Sequence, residues 1–247
     1  MQSSPDQSPT PRSSIVSTFI LAGGQSTRMG TDKASLLIDG VPMLRRVYDV
    51  AVQCTETVAI ITPWPERYRS LVPDSCEWIV EVSPDEAGEA SAQSCGPLMG
   101  FADGLNHRQL SGQLTPWVML LACDLPCLDP KILRGWIDTL PLVDEGAIAA
   151  LPRYPQSSND ARSGKHNSGQ YSSGKHKQWE PLCGFYRASC FGSLQHFIDR
   201  GGRSFQQWLA NESVVALEMS DACAQTMLIN CNTPDDAVFV KGRPSKF

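Results

Sequence analysis

The sequence predicts one α/β domain whose sheet is mainly parallel and doubly wound, with helices on both faces. Segments typical of strands alternate with segments typical of helices over most of the 247 residues, as in βαβ units. The strand segments are short apolar runs, which is expected for strands that are buried on both faces. Because such sheets bind ligands at the carboxyl ends of their strands, functional residues are expected in the loops that follow strands.

The elements can be predicted in order along the chain. An apolar run that ends at two glycines predicts the first strand at residues 15–22, and apolar residues at helical spacing predict the first helix at 42–54. Further strands are predicted at residues 58–62, 78–82, 117–122, 147–151, 181–186, 214–217 and 227–229. Further helices are predicted at residues 66–71, 97–105, 130–140, 189–200 and 204–210. Asp129 is the expected N-cap of the helix at 130, and Thr233 that of a last helix.

Three segments are expected to lie outside the core. Residues 1–14 are rich in Ser and Pro and are predicted to be a disordered tail, and residues 241–247 form a second tail. Residues 155–178 contain "SGKH" twice and almost no apolar side chains. They are predicted to be a flexible insertion at the tip of a hairpin, with a phosphate or metal device as the alternative. One domain at 15–240 therefore carries the core.

The composition excludes several function classes. The net charge of -5 gives no general basic surface for nucleic acid or an anionic membrane. The first fourteen residues lack an apolar signal region, and no apolar run approaches a membrane span, so we expect a cytoplasmic protein. The nine cysteines include no CxxC pair, which favours reduced thiols. A metal-thiolate pair at Cys123 and Cys127 is the alternative.

The loop after the first strand, "LAGGQSTRMGTDK", has the features of an anion site. Gly23 and Gly24 permit a sharp turn whose backbone N–H groups can approach a ligand. Arg28 and Lys33 add positive charge. The spacing fits neither the GxxxxGK[ST] P-loop nor the GxGxxG dinucleotide motif. The loop therefore predicts a triphosphate cradle of another kind.

This loop closely resembles the signature of nucleotidyltransferases with a glycosyltransferase-A-like fold, and more narrowly that of the molybdenum cofactor guanylyltransferases. Gly23 and Asp32 favour the guanylyltransferases over the related cytidylyl- and uridylyltransferases. Five further segments are similar to family motifs and occur in the family's order: "GPLMG" at 96–100, "LACDLP" at 121–126, "EPLCGFY" at 180–186, "GGRSFQQWL" at 201–209 and "INCNTPDD" at 229–236. Gly184 stands in the third of these where alanine is usual.

The resemblance implies an enzyme that transfers GMP from GTP to molybdenum-molybdopterin and releases pyrophosphate. An acceptor phosphate is already anionic at neutral pH, so no general base is required. Catalytic roles are expected for Arg28, Lys33 and Asp124. Asp124 directly follows an apolar strand, and its hard carboxylate suits Mg²⁺. Nucleotide-binding roles are expected for Leu21, Ala22, Gly23, Gly24, Ser26, Lys33, Asp85, Gly96, Pro97 and Leu98.

The molybdopterin side is assigned to Arg203, Asn230 and Asn232. If their segment is extended, the two Asn side chains point to the same side, whereas a capping cluster before Thr233 is the alternative. Family members usually carry an acidic residue shortly before the GPLAG motif that reads guanine or ribose. Asp85 is our choice for that residue, and Glu81 and Glu86 are alternatives.

Other functions remain open at this stage. The same fold serves cytidylyltransferases and sugar-phosphate nucleotidyltransferases, and a non-catalytic carrier of molybdenum cofactor is a further alternative. Molybdoenzymes or other proteins of cofactor biosynthesis are expected partners.

Overall fold

The computed structural model describes residues 15–23, 32–81, 95–153, 178–219 and 226–232, together with residues 236 and 238. In chain order its strands are β1 Val16–Leu21, β2 Leu37–Ile38, β3 Val41–Pro42, β4 Val58–Thr62, β5 Glu77–Val80, β6 Trp117–Ala122, β7 Ala149–Pro152, β8 Cys183–Arg187 and β9 Val214–Leu217. The helices are α1 Met43–Ala51, α2 Pro65–Tyr68, α3 Pro97–Leu110, α4 Pro130–Thr139, α5 Phe191–Asp199 and α6 Phe205–Leu209.

Seven strands form one mixed sheet in the order β5-β4-β1-β6-β8-β7-β9. Only β8 runs against its neighbours β6 and β7, and every other pair in the sheet is parallel. The predicted mainly parallel sheet is therefore confirmed. Strand β1 lies between β4 and β6, with Leu21 level with Ala122. The loops after β1 and β6 thus emerge side by side, at the kind of position where open α/β sheets bind ligands.

Both faces of the sheet are covered by helices, as predicted. Alternate side chains of β1 point to opposite faces, so Ile20 packs with residues of α1 and α4, whereas Phe19 packs with residues of α3, α5 and α6. Phe101, Tyr186, Phe205 and Trp208 form a chain of ring contacts within the second cluster. This packing holds α3 and α6 against β8 on one face of the sheet.

One prediction about local structure needs correction, and one element was not predicted. The strand predicted at 227–229 is wrong, because Thr226 and Met227 are helical and Ile229 N donates to Thr226 O at 3.2 Å. Met227 buries its side chain in the core from this turn, so its apolar character reflects burial and not strand pairing. The sequence interpretation also missed the β2–β3 hairpin. Its Asp39-Gly40 turn has positive φ at both residues, which is the usual signal of a two-residue hairpin.

Other elements agree in type with the sequence predictions and differ at their ends. Helix α3 continues five residues beyond the predicted end at 105, because Arg108 is buried and donates to Glu77 Oε2 at 2.6 Å. Asp129 caps α4 through Lys131 N, as expected. The capping residue Thr233, both predicted tails and nearly all of the insertion lie outside the described residues.

The eight cysteines within the described residues are free thiols. Burial raises the pKa of Cys54, Cys76 and Cys231 to about 11, and it raises the pKa of Cys123, Cys183 and Cys190 further. Among the helices that the structure describes, none is both long and apolar enough to cross a membrane.

Candidate active site

A cavity of about 400 Å³ opens at the carboxyl ends of β1 and β6. It is lined by Leu21, Ala22, Gly23, Asp32, Lys33, Ala34, Ile61, Tyr68, Glu81, Gly96, Pro97, Gly100, Ala122, Cys123, Asp124 and Leu182. These residues come from loops that are far apart in sequence and that the parallel sheet brings to one edge. The cavity is therefore where the topology predicts a ligand site.

Asp124 and Lys33 face each other in this cavity. Asp124 follows β6 by two residues, and its Oδ2 lies 3.7 Å from Lys33 Nζ. Burial raises the pKa of the Asp124 carboxyl, and the nearby Lys33 ammonium opposes that shift only in part. Lys33 also donates a 2.5 Å hydrogen bond to Asn232 Oδ1. The ion pair places a cation and a hard anionic ligand within reach of one phosphate chain.

Asp32 positions the turn that carries Lys33. Its Oδ1 accepts from Ala34 N at 3.0 Å and so caps the short 3-10 turn Lys33–Ser35. Its Oδ2 accepts from the Tyr68 hydroxyl at 2.6 Å. Tyr68 is buried, and its pKa is raised by burial and by the Asp32 carboxylate. The sequence interpretation used Asp32 only as a family marker and missed Tyr68, because nothing local signals a contact across 36 positions.

Glu81 also lines the cavity and directly follows β5. Its side chain is buried, and Oε1 accepts from Cys95 N at 2.8 Å. Helix α3 begins beside it, after Gly96 with a φ of 92°. A Cβ at Gly100 would stand 3.3 Å from Leu21 Cδ2 and 3.7 Å from the Glu81 carboxylate. The absence of a side chain at Gly100 thus leaves space next to the Glu81 carboxylate.

A second cavity of about 310 Å³ adjoins the first and shares Pro97 and Leu182 with it. Its other lining residues are Glu180, Pro181, Arg203, Ser204, Phe205, Gln206 and Asn230. Arg203 is oriented by hydrogen bonds from Nη1 to Ile198 O and Gly202 O, at 3.0 and 2.7 Å. The two cavities together offer room for two ligands that meet at a common wall.

The structure brings most of the predicted site residues together. Leu21, Ala22, Gly23, Lys33, Gly96, Pro97 and Asp124 line the first cavity, and Arg203 and Asn230 line the second. Asn232 joins the site through Lys33. Leu98, the second residue of α3, packs in the core and is absent from the lining of either cavity. Gly24, Ser26, Arg28 and Asp85 lie outside the described residues.

The donor set suits a cation that is held mainly by its substrate. Within the described part of the chain, no three His, Cys, Asp or Glu side chains cluster to form a metal site. Asp124 supplies one carboxylate next to a cavity with room for a phosphate chain. Mg²⁺ is commonly bound through one or two carboxylates, with phosphate oxygens and water completing its octahedron. The residues present therefore fit this ion.

Comparisons with known proteins point in one direction. The family model of the MobA-like NTP transferase domain matches residues 18–214. The chain is 42% identical over 227 residues to a probable molybdenum cofactor guanylyltransferase of Nostoc sp., which covers 92% of this chain and 91% of that one. It is 36% identical over 218 residues to a protein of the same description from Synechococcus elongatus, and this alignment covers 88% of this chain and 94% of that one.

The fold matches a solved structure as well. Molybdopterin-guanine dinucleotide biosynthesis protein A from Archaeoglobus fulgidus superposes with a TM-score of 0.63 at 19% identity, covering 91% of this chain and 96% of that chain. At this identity the match supports the architecture of the sheet and its helices.

Proposed function

Because the chain belongs to the MobA-like NTP transferase family, we propose that it transfers GMP from GTP to molybdenum-molybdopterin. One observation carries the proposal: the Lys33–Asp124 pair lines a cavity that shares a wall with a second cavity. The first cavity would hold GTP and the second would hold the molybdopterin acceptor. Each of the two substrates would then have its own compartment, with the reacting phosphates near the boundary.

The proposed reaction needs little covalent chemistry from the protein. A terminal phosphate oxygen of molybdopterin attacks the α-phosphorus of GTP, a new P–O bond forms, and the bond to the β-phosphate breaks to release pyrophosphate. Because the acceptor phosphate is already ionised, catalysis consists of positioning and charge neutralisation. Lys33 and Arg28 are assigned to the β- and γ-phosphates, and Asp124 to Mg²⁺. When bound, that ion supplies charge neutralisation at the phosphate oxygens.

Guanine recognition is assigned to Glu81 in preference to Asp85. Guanine presents two adjacent donors, its N1–H and its 2-amino group, and a carboxylate accepts both. Glu81 is a buried carboxylate in the lining of the first cavity. Cytosine and uracil lack that donor pair, so Glu81→Gln should weaken GTP binding more than CTP binding. Equal effects on the two nucleotides would refute this role.

The decisive test measures the product. The protein is incubated with molybdenum-loaded molybdopterin, Mg²⁺ and each nucleoside triphosphate in turn, and products are identified by mass spectrometry. Of the nucleoside triphosphates tested, we expect only GTP to give a dinucleotide product, together with pyrophosphate. A preference for CTP would replace this proposal by a cytidylyltransferase. Activity that survives Asp124→Asn would refute the metal role, and binding without turnover in the unmodified chain would favour a carrier.

The proposed setting follows from the substrates. Molybdenum-loaded molybdopterin would be received from proteins that build that cofactor, and the dinucleotide would be passed to molybdoenzymes. This exchange is proposed to occur in the cytoplasm. Co-purification of labelled dinucleotide with an apo-molybdoenzyme after mixing would test the transfer directly.

A further inference from the structure

The described part of the chain buries two carboxylates, and each of them lines one of the two cavities. Glu81 is 7% exposed and lies in the first cavity, whereas Glu180 is 3% exposed and lies in the second. A carboxylate so far from water is costly unless hydrogen-bond donors surround it. Each cavity therefore has one buried carboxylate in its lining.

Glu180 is held in place by its own backbone surroundings. Its N donates to Pro152 O at 3.0 Å, and its Oε1 accepts from Leu182 N at 3.2 Å. Trp179, the residue before Glu180, is held by Gln206, whose Nε2 donates to Trp179 O at 2.6 Å. These contacts fix the carboxylate at the cavity wall before any ligand arrives, which lowers the entropic cost of binding.

The second cavity has opposite charges on its lining. Glu180 supplies a carboxylate, and Arg203 supplies a guanidinium that two backbone carbonyls orient through a single nitrogen, Nη1. A ligand that carries both hydrogen-bond donors and an acceptor has a partner of each kind in this lining. Two ligand donors can share one carboxylate, because its two oxygens offer about four lone-pair sites.

We propose that Glu180 recognises the pterin ring of the acceptor through its N3–H and 2-amino donors. This inference rests on the proposed function, which places molybdopterin in the second cavity. A pterin is a 2-amino-4-oxo heterocycle, so it presents the same donor pair as guanine. Glu180 would thus be the specificity residue for the acceptor, as Glu81 is for the nucleotide. The pterin O4, on the other side of N3, is an acceptor of the kind that Arg203 binds.

Replacement of the Glu180 carboxylate by an amide should change which ring the second cavity prefers. Gln offers one acceptor and one donor, so it fits lumazine, which has a carbonyl oxygen at position 2 in place of the amino group. The original chain should therefore bind pterin more tightly than lumazine, and Glu180→Gln should reverse that order. We expect pterin binding to weaken about tenfold or more, since a hydrogen bond to a charged group is lost.

The experiment titrates each protein with free pterin and free lumazine by fluorescence at saturating GTP. Glu81→Gln is the matched buried control and should alter GTP binding without changing the pterin-to-lumazine ratio. Glu145→Gln, on the exposed surface, should change neither. GTP binding and the circular dichroism spectrum of Glu180→Gln should match those of the original chain.

Three results would overturn the assignment: equal affinity of the original chain for pterin and lumazine, no binding of either, or an unchanged ratio in Glu180→Gln. The first two do not depend on the variant and so hold even if it fails to fold. Failure of the proposed function would look different. Pterin selectivity would persist while the original chain formed no guanine dinucleotide from GTP and molybdopterin.

Discussion

Substitution of Gly184 by alanine should destabilise the protein, although alanine is the usual residue in the motif that this segment resembles. Gly184 lies in β8, the strand that follows Glu180, and pairs with Leu120 of β6. A Cβ built at this position would stand 2.5 Å from Leu151 Cδ2 and 3.0 Å from Ala150 O. Leu151 is fully buried, so the space for the alanine methyl is already occupied by this leucine.

The expected magnitude is the balance of two effects. Inserting a methyl group into a packed core costs about 1–3 kcal/mol. Replacing glycine by alanine returns about 0.4–1 kcal/mol by restricting the unfolded chain. We therefore expect Gly184→Ala to lower the free energy of unfolding by about 1–2 kcal/mol. At about 2–4 °C per kcal/mol for a domain of this size, the melting temperature should fall by about 2–8 °C.

A double-mutant cycle with Leu151→Ala tests the cause. Leu151→Ala alone should cost about 2–5 kcal/mol, because it leaves a cavity. In that background the methyl group at 184 has room, so the two effects should differ from additivity by about 1 kcal/mol or more. The assay is equilibrium unfolding in urea, followed by tryptophan fluorescence.

Gly135→Ala is the matched control. Gly135 is exposed in the middle of α4, and a Cβ there would meet no atom within 4 Å. It should stabilise the protein by about 0.5–1 kcal/mol. Additivity of Gly184→Ala and Leu151→Ala within about 0.5 kcal/mol would refute the steric argument.

Two further predictions concern the first cavity. Asp124→Asn should stabilise the metal-free protein at neutral pH, because burial raises the pKa of Asp124 and so makes its charged form costly. The folded state then binds this proton more readily than the unfolded state, so the contribution of Asp124 to stability falls as pH rises through its raised pKa. Melting curves of both proteins between pH 4 and pH 8 check this, and parallel curves would contradict it. Tyr68→Phe removes the hydrogen bond to Asp32, worth about 1.5–3 kcal/mol. GMP transfer at saturating GTP should slow by about 10- to 150-fold if that energy orients Lys33 in the transition state, whereas an unchanged rate with lower stability would make the contact purely structural.

The sheet and the position of the site were predictable because they depend on local patterns. The run at β1 is apolar and ends at two glycines, and the run at β6 is apolar and ends before Asp124, so both the strands and the loops after them are visible in the sequence. Parallel topology then places both loops at the same edge of the sheet, whereas the pairing of β1 with β6 that makes them neighbours is seen only in the structure.

The remaining features depend on contacts that no local pattern encodes. Tyr68 reaches Asp32 only because β4 lies beside β1. Glu81 stands at the cavity because it directly follows β5, whereas no local pattern distinguishes its carboxylate from those of Asp85 and Glu86. The apolar residues near Met227 fit a short strand and a buried turn equally well, and periodicity over three residues does not separate them.

Chemical labelling of the buried cysteines would report local unfolding of the chain. Only the thiolate attacks a disulfide reagent, and in six of the described cysteines full or partial burial disfavours the thiolate and raises the pKa to about 11 or above. Unfolding returns each of them to an ordinary pKa near 8.5 and to solvent. Four of these thiols, Cys76, Cys183, Cys190 and Cys231, are buried. Their labelling rate by an aromatic disulfide therefore measures how often their regions open, and mass spectrometry assigns that rate to each site. Cys123 is partly exposed and lines the first cavity directly before Asp124, so its labelling with and without GTP would report whether the nucleotide covers it.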